Sequence, residues 1–216
     1  MAKKPVIKGL YAITPDESDT AELLRKTRLA LQGGAQVLQY RNKIVDTELR
    51  LQQALALREL ACEFHTTFIV NDDAQLAAQV DADGVHLGGE DGSVASARTL
   101  LGNDKIIGVS CYNRAPLAFE AVRQGADYVA FGAFFPSGVK PEAVQAEIAL
   151  LHAVCRELSV PIVAIGGITQ QNGTALIEAG ADALAVISAL WNAPDIANAA
   201  KEFSNLFEQG NKHDFA

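Results

Sequence analysis

Gly125-Ala126-Asp127-Tyr128-Val129 recurs twice in variant form, as Gly33-Gly34-Ala35-Gln36-Val37 and as Gly180-Ala181-Asp182-Ala183-Leu184. Each copy follows a helical pattern and opens an apolar run. Glycine ends a helix cheaply because it takes the left-handed conformation without a Cβ penalty. The small residue after it lets a strand start close by. A helix that stops and a strand that begins within five residues, three times over, is the mark of a repeated strand–helix unit.

Outward from these junctions the same alternation covers the chain. Strands are predicted at Gly9–Ile13, Gln36–Tyr40, Thr67–Val70, Gly84–Leu87, Ile106–Val109, Tyr128–Phe131, Pro161–Ile165 and Ala183–Ile187. Helices are predicted at Thr20–Gln32, Thr47–Glu63, Asp73–Gln79, Ser93–Leu101, Ala115–Gln124, Glu142–Leu158, Gln170–Glu178 and Asp195–Gln209. Continuously apolar strands separated by helices imply a parallel sheet covered on its outer face. Eight such units in 216 residues fit a compact single-domain (β/α)8 TIM barrel spanning 1–216, with a frayed tail over about 210–216. The runner-up, an open doubly wound sheet, calls for a glycine-rich turn after the first strand, where this chain has Thr14-Pro15-Asp16.

Composition narrows the partners. Half the residues are hydrophobic (49%), enough for one sizeable core, and the net charge of −8 argues against nucleic acid. The polar start Met1-Ala2-Lys3-Lys4-Pro5 predicts no signal peptide, and no apolar run reaches the roughly 20 residues that span a bilayer. Three cysteines, Cys62, Cys111 and Cys155, lack metal-ligand spacing, and their odd number suits a reducing cytoplasm. Cys62 and Cys155 are expected in the core and Cys111 as a packed side chain. A homo-oligomer stays open.

In such a barrel the chemistry sits at the carboxyl ends of the strands. Those ends carry Thr14; Gln39, Arg41 and Lys43; Asn71, Asp72 and Asp73; His86, Glu90 and Asp91; Ser110 and Cys111; Ser137 and Lys140; Gly166 and Gly167; and Ser188. Strand alternation points Gln39, Arg41 and Lys43 the same way, and one amide and two cations on an inner face call for a polyanion such as pyrophosphate. Asp72 and Asp91 can share Mg2+ with pyrophosphate oxygens and water. Equally, Asp72 or Asp73, and Asp91, can simply cap the helices that follow. Gly166-Gly167-Ile168 and Ile187-Ser188 occupy the corner where barrels bind phosphate through bare backbone N–H groups, or else form a tight packing turn. His86 is expected as a hydrogen-bonded structural histidine, and Trp191 as packing.

Taken in order, Gly9-Leu10-Tyr11-Ala12-Ile13-Thr14, Gln39-Tyr40-Arg41-Asn42-Lys43, Asn71-Asp72, Asp83-Gly84-Val85-His86-Leu87-Gly88, Ile107-Gly108-Val109-Ser110, Phe135-Pro136-Ser137 with Lys140, Ala164-Ile165-Gly166-Gly167-Ile168 and Val186-Ile187-Ser188 resemble the thiamine-phosphate synthase (thiamine-phosphate pyrophosphorylase) family. The resemblance implies a transferase that joins 4-amino-5-hydroxymethyl-2-methylpyrimidine diphosphate to a thiazole phosphate with Mg2+, giving thiamine phosphate and pyrophosphate. It implies that Gln39, Arg41, Lys43, Asn71, Ser110 and Lys140 hold the pyrimidine diphosphate, with Arg41, Lys43, Ser110 and Lys140 as the catalytic set. Tyr40 and Asn42, inside the same segment, count among the substrate-binding candidates. The resemblance further implies Asp72 and Asp91 as Mg2+ ligands and Ser137, Gly138, Val139, Gly167, Ile187 and Ser188 around the thiazole phosphate. The family's usual threonine, any residue, threonine, lysine reads Ser137-Gly138-Val139-Lys140 here, so a phosphate contact at Val139 has to come from backbone N–H. Two other readings of the same barrel are a thiazole tautomerase, which needs a histidine that Gly132–Lys140 lacks, and a non-catalytic binder of phosphorylated metabolites.

Overall fold

The structure, a computed structural model, describes residues 4, 6–89, 91–136 and 144–210. Eight parallel strands close into a barrel in chain order, with β8 pairing back onto β1. The strands are β1 (Gly9–Ile13), β2 (Val37–Tyr40), β3 (Thr67–Asn71), β4 (Gly84–Leu87), β5 (Ile106–Tyr112), β6 (Tyr128–Phe131), β7 (Ile162–Ile165) and β8 (Ala183–Val186). The helices are α1 (Thr20–Gln32), α2 (Thr47–Glu63), α3 (Ala74–Gln79), α4 (Val94–Leu101), α5 (Ala115–Arg123), α6 (Ile148–Val154), α7 (Gly173–Glu178), α8 (Ser188–Trp191) and α9 (Ile196–Gly210). No helix among the described residues is long and apolar enough to cross a membrane.

The period-2 alternation of each strand divides the core in two. Leu10, Ala12, Leu38, Phe68, Val70, Val85 and Ile107 face the helices in the larger cluster. Tyr11, Ile13, Val37, Ile69, Ile106, Tyr128, Val163 and Ala183 point inward and fill the barrel. The interior is therefore a packed floor, and whatever follows on the inward face toward the strand ends forms the rim above it.

The three glycine junctions behave alike. Gly34, Gly125 and Gly180 have φ of 99°, 92° and 107°. At each, the glycine N–H reaches the carbonyl three residues back and the following alanine N–H the carbonyl five back, closing the helix end with two bonds. At two of these junctions the residue after that alanine, Asp127 or Asp182, does more than start a strand, and Asp83 does the same after Asp81-Ala82. Asp83, Asp127 and Asp182 each donate a backbone N–H to the carbonyl of Phe68, Ile107 and Ile162, at 2.9, 2.7 and 2.8 Å. Each carboxylate accepts the N–H of that same residue, all at 2.8 Å. Three two-way clasps thus tie β3 to β4, β5 to β6 and β7 to β8 at the amino end of the barrel.

The clasps differ in their counter-charge. Asp127 also binds Lys4 and Arg98, and Asp83 faces Arg58. Asp182 has no cation in the ion pairs of the described residues, and burial, set against only the Ile162 N–H bond, holds its carboxyl above the usual carboxylate range. Its folded-state pKa is raised, so this group favours the fold when protonated, and that advantage is lost as pH climbs through the raised value. Asp182→Asn, which keeps the acceptor, is expected to raise the denaturation midpoint at neutral pH, with the gap closing in acid. Asp127→Asn removes two ion pairs and is expected to cost roughly 1.5–3 kcal/mol, as for hydrogen bonds to charged groups. Urea titrations of both variants across pH read the contrast.

Three expectations are corrected. The predicted helix Glu142–Leu158 begins only at Ile148: residues 144–147 are not helical, and Glu142 and Ala143 lie outside the described residues. Good helix formers in that segment carried the pattern through a loop whose Ala146 N–H instead bonds Ala133 O. Cys62 is exposed, not core, with an Arg58 N–H on its sulfur at 3.0 Å, while Cys155 is only half-buried. A short extra helix, α8, also follows β8 directly.

Candidate active site

The strand carboxyl ends open into a cavity of about 1020 Å³. Gln39, Arg41 and Lys43 line it together, as alternation requires. Tyr40 and Asn42, expected with them on the substrate side, turn the other way: both are buried and bond the Oε1 of Gln53 on α2, at 2.8 and 2.9 Å. Asn42 also donates to Glu17 O at 2.6 Å. Neither lines this cavity; they border a smaller one of about 310 Å³ beside it. Their place is to pin the loop whose other face carries the cations.

That loop is held from β1 as well. Thr14 Oγ donates to Arg41 O and accepts from Arg41 N, each at 2.8 Å, fixing the backbone of Arg41. Asp16, which the strand-end inventory passed over, takes the Arg41 guanidinium at 3.1 Å on both oxygens and the Lys43 N–H at 2.7 Å. The signal for Asp16 was its position, two residues beyond Thr14 on the neighbouring strand end. Trp191 does pack, donating its indole N–H to Ile13 O.

Next to these cations, after β3 and β4, Asp72 and Asp91 come together. Asp73, not Asp72, caps α3 through the N–H of Leu76, and Ser93, not Asp91, caps α4 in a reciprocal pair with Ser96. Both carboxylates are thus spared from capping. Asp91 accepts the Gly88 N–H at 2.9 Å, and a Cβ on Gly88 would fall 2.5 Å from that oxygen, so only glycine allows this approach. Asp72 sits at φ 64°, an uncommon conformation for a residue with a side chain. Burial first, then the bond and charge of Asp91, raise its carboxyl above the usual range, against the pull of Lys43, whose Nζ lies 3.6 Å away. Two carboxylates forced together at a rim suit a hard divalent cation that completes its shell from ligand phosphate and water. Among the described residues no cluster of three or more His, Cys, Asp or Glu side chains could hold a metal by itself.

Asn71 and Ser110 line the same cavity. Ser110 Oγ lies 2.8 Å from His86 Nε2. Gly167, Ile187 and Ser188 line the far corner. Gly166 and Gly167 have φ of 100° and 63°, and a Cβ on Gly167 would meet Pro136 O at 2.4 Å. This pair needs glycine twice over, for its backbone and for the approach of the segment after β6. Ser137, Gly138, Val139 and Lys140 lie outside the described residues. Cys111 is fully buried with its thiol pushed up to about 12 by burial, which suits packing and not nucleophilic attack.

Two cations beside paired carboxylates, with a glycine corner beyond, suit a diphosphate and a second anionic group. Among the described lining residues no serine–histidine–acid or cysteine–histidine constellation adds a covalent nucleophile. Residues 10–190 match the family model described as thiamine monophosphate synthase. The chain is 59% identical over 203 residues to a thiamine-phosphate synthase of Methylobacillus flagellatus, covering 94% of this chain and 97% of that one. It is 53% identical to one of Nitrosomonas eutropha, over 93% and 95% of the two chains. Its backbone superposes on the thiamine phosphate pyrophosphorylase of Pyrococcus furiosus with a TM-score of 0.84, at 35% identity and over 94% and 96% of the chains.

Proposed function

The chain belongs to the thiamine monophosphate synthase family, and on that premise we propose that its rim joins a pyrimidine diphosphate to a thiazole phosphate. It is an enzyme of thiamine biosynthesis, a transferase that forms thiamine phosphate. The substrates are 4-amino-5-hydroxymethyl-2-methylpyrimidine diphosphate and 4-methyl-5-(2-phosphoethyl)thiazole, and pyrophosphate leaves.

The observation that carries the reading is that Arg41 and Lys43 line one cavity with Asp72 and Asp91, with Lys43 Nζ 3.6 Å from Asp72. The bond that breaks joins the pyrimidine's exocyclic methylene carbon to the diphosphate oxygen, and its electron pair leaves with pyrophosphate. The aminopyrimidine ring delocalises the positive charge left behind. The thiazole nitrogen lone pair then forms the new C–N bond. Such a displacement asks the protein for charge stabilisation on the leaving group and for alignment, and for no nucleophile. Arg41, Lys43 and Asn71 bind the diphosphate, Ser110 donates to it, and Lys140 joins them. Gly167, Ile187 and Ser188, with Ser137, Gly138 and Val139, surround the thiazole phosphate. Asp72 and Asp91 would hold Mg2+, which would supply positive charge to offset that of the leaving pyrophosphate. Free thiols at Cys62, Cys111 and Cys155 support a cytoplasmic setting.

The tautomerase and silent-binder readings are not favoured, since the relatives carry the synthase name. The test is turnover with both substrates and Mg2+, following thiamine phosphate and pyrophosphate together. Equal amounts of both are expected. Binding of either substrate without product would sink the synthase reading. Asp91→Asn is expected to move the Mg2+ titration to concentrations at least about tenfold higher, a change of roughly 1.4 kcal/mol. An unmoved titration would leave Asp91 a loop-stabilising acceptor of the Gly88 N–H only.

A further inference from the structure

Beneath the cavity five side chains from five strands form one unbroken chain of hydrogen bonds. Gln39 on β2 donates its amide N–H to Tyr11 on β1 at 2.9 Å. The Tyr11 and Tyr128 hydroxyls, on β1 and β6, meet at 2.8 Å. Tyr128 meets Nδ1 of His86 on β4 at 2.9 Å, and Nε2 of His86 meets Ser110 on β5 at 2.8 Å. Gln39, Tyr11, Tyr128 and His86 are buried, and all five residues border the cavity, the two tyrosines with almost no exposed surface.

The direction of every bond follows from the first. A phenol has one proton. Tyr11 accepts from Gln39, so its own proton goes to Tyr128: the amide nitrogen cannot accept it, and turned elsewhere from a side chain only 1% exposed it would be left unpaired. Tyr128 then passes its proton to His86 Nδ1, which must be bare. His86 therefore carries its proton on Nε2 and donates to Ser110, and the Ser110 proton is left for the cavity. Burial raises both phenols above their ordinary range, so neither ionises near neutrality. With its N–H given to Tyr11, the Gln39 amide has its carbonyl left for a partner from the cavity that Gln39 lines.

We propose that this chain is a polarised relay that couples the two ends of the first substrate: a hydrogen-bond donor recognised at Gln39 and an acceptor recognised at Ser110 are accepted only in that pairing. Resting on the synthase reading, the donor is the exocyclic amine of the pyrimidine and the acceptor is a diphosphate oxygen. A ligand that offered an acceptor to Gln39 would have to turn the amide, and with it both phenols, the His86 tautomer and the Ser110 hydroxyl. In this relay Tyr11, Tyr128 and His86 act as positioning residues, through Gln39 and Ser110.

The test reads the His86 ring by 15N NMR at pH 9, with the signal assigned by its loss in His86→Asn. Wild type is expected to show the Nε2–H tautomer and to keep it when pyrimidine diphosphate is bound. Gln39→Glu replaces the donor by a same-shaped acceptor, and the carboxyl 13C shift reports that it is ionised. The His86 proton is then expected on Nδ1, two tyrosines away from the change. In Tyr11→Phe/Gln39→Glu the switch should vanish. An unchanged tautomer in Gln39→Glu would overturn the relay. So would a switch that survives Tyr11→Phe, which would mean action through space, or a move to Nδ1–H when wild type binds the ligand. Failed turnover beside a switching tautomer would sink the synthase reading and leave the relay standing.

Discussion

An Arg41→Ala variant keeps its barrel and loses roughly 10²–10³-fold in kcat/KM, the scale set by removing one donor from a developing anion. The stability side is small because the hydrogen-bond and ion-pair partner of the guanidinium is Asp16, a polar contact at the rim. Such pairs contribute about 0–1 kcal/mol. The backbone of residue 41 stays fixed by Thr14, whichever side chain it carries. The loss should therefore appear in steady-state kinetics with pyrimidine diphosphate and leave the urea midpoint within about 1 kcal/mol of wild type. A variant that turns over normally would remove Arg41 from leaving-group stabilisation. Lys43 would then be the strand-end cation left to carry it among the described residues.

Gly108→Ala is the second substitution with a large expected effect, and it strikes the floor and not the rim. Gly108 pairs with Tyr128 across β5 and β6, and a Cβ there would fall 1.9 Å from the Tyr128 ring and 2.4 Å from its hydroxyl. The ring is fully buried and held by Tyr11 and His86, so it can yield only by giving up those bonds. Overpacking costs about 1–3 kcal/mol, and each buried hydroxyl left unpaired adds roughly 1–3 kcal/mol. A loss of several kcal/mol in the denaturation midpoint is expected, together with loss of turnover. Gly108→Ala/Tyr128→Leu removes the clash and should recover much of the stability while activity stays low. Equal stability of Gly108→Ala and wild type would show that the strands can part to admit a methyl group, against the packing described.

The fold was legible because its periodicity is local. Apolar runs, helix faces and glycine stops are each written within about ten residues, and barrel closure follows from their number. The rim was legible by the same logic, since a strand end is a sequence position: Gln39, Arg41, Lys43, Asn71, Asp72, Asp91, Ser110, Gly167, Ile187 and Ser188 share one cavity. What stayed hidden depends on direction and on partners far along the chain. Tyr40 and Asn42 lie between rim residues, yet alternation sends them to Gln53. Tyr11 and Tyr128 sit inside apolar runs where an aromatic reads as core, although they are 117 residues apart and joined by their hydroxyls. The inward direction of His86 needs the register of β3, β4 and β5, which no local pattern supplies. The aspartates at 127 and 182 were visible as repeats, with 83 at the matching place before β4, but a carboxylate before a strand has no meaning until its neighbour's N–H is known.

Those aspartate clasps bear on how freely this enzyme can change. They lie at the end of the barrel opposite the cavity, and each joins strands that are adjacent in the chain, through partners 15 or 20 residues apart. The machinery that keeps neighbouring strands in register is thereby separate from the side chains that meet substrate. Substitutions around the mouth can alter what is bound without loosening the hinge-points below. The two requirements meet at the tyrosine floor, where packing and recognition share the same atoms. Drift in specificity should be easy at the loops and blocked at Tyr11 and Tyr128, which makes that layer the barrier to recruiting this scaffold for a different ring.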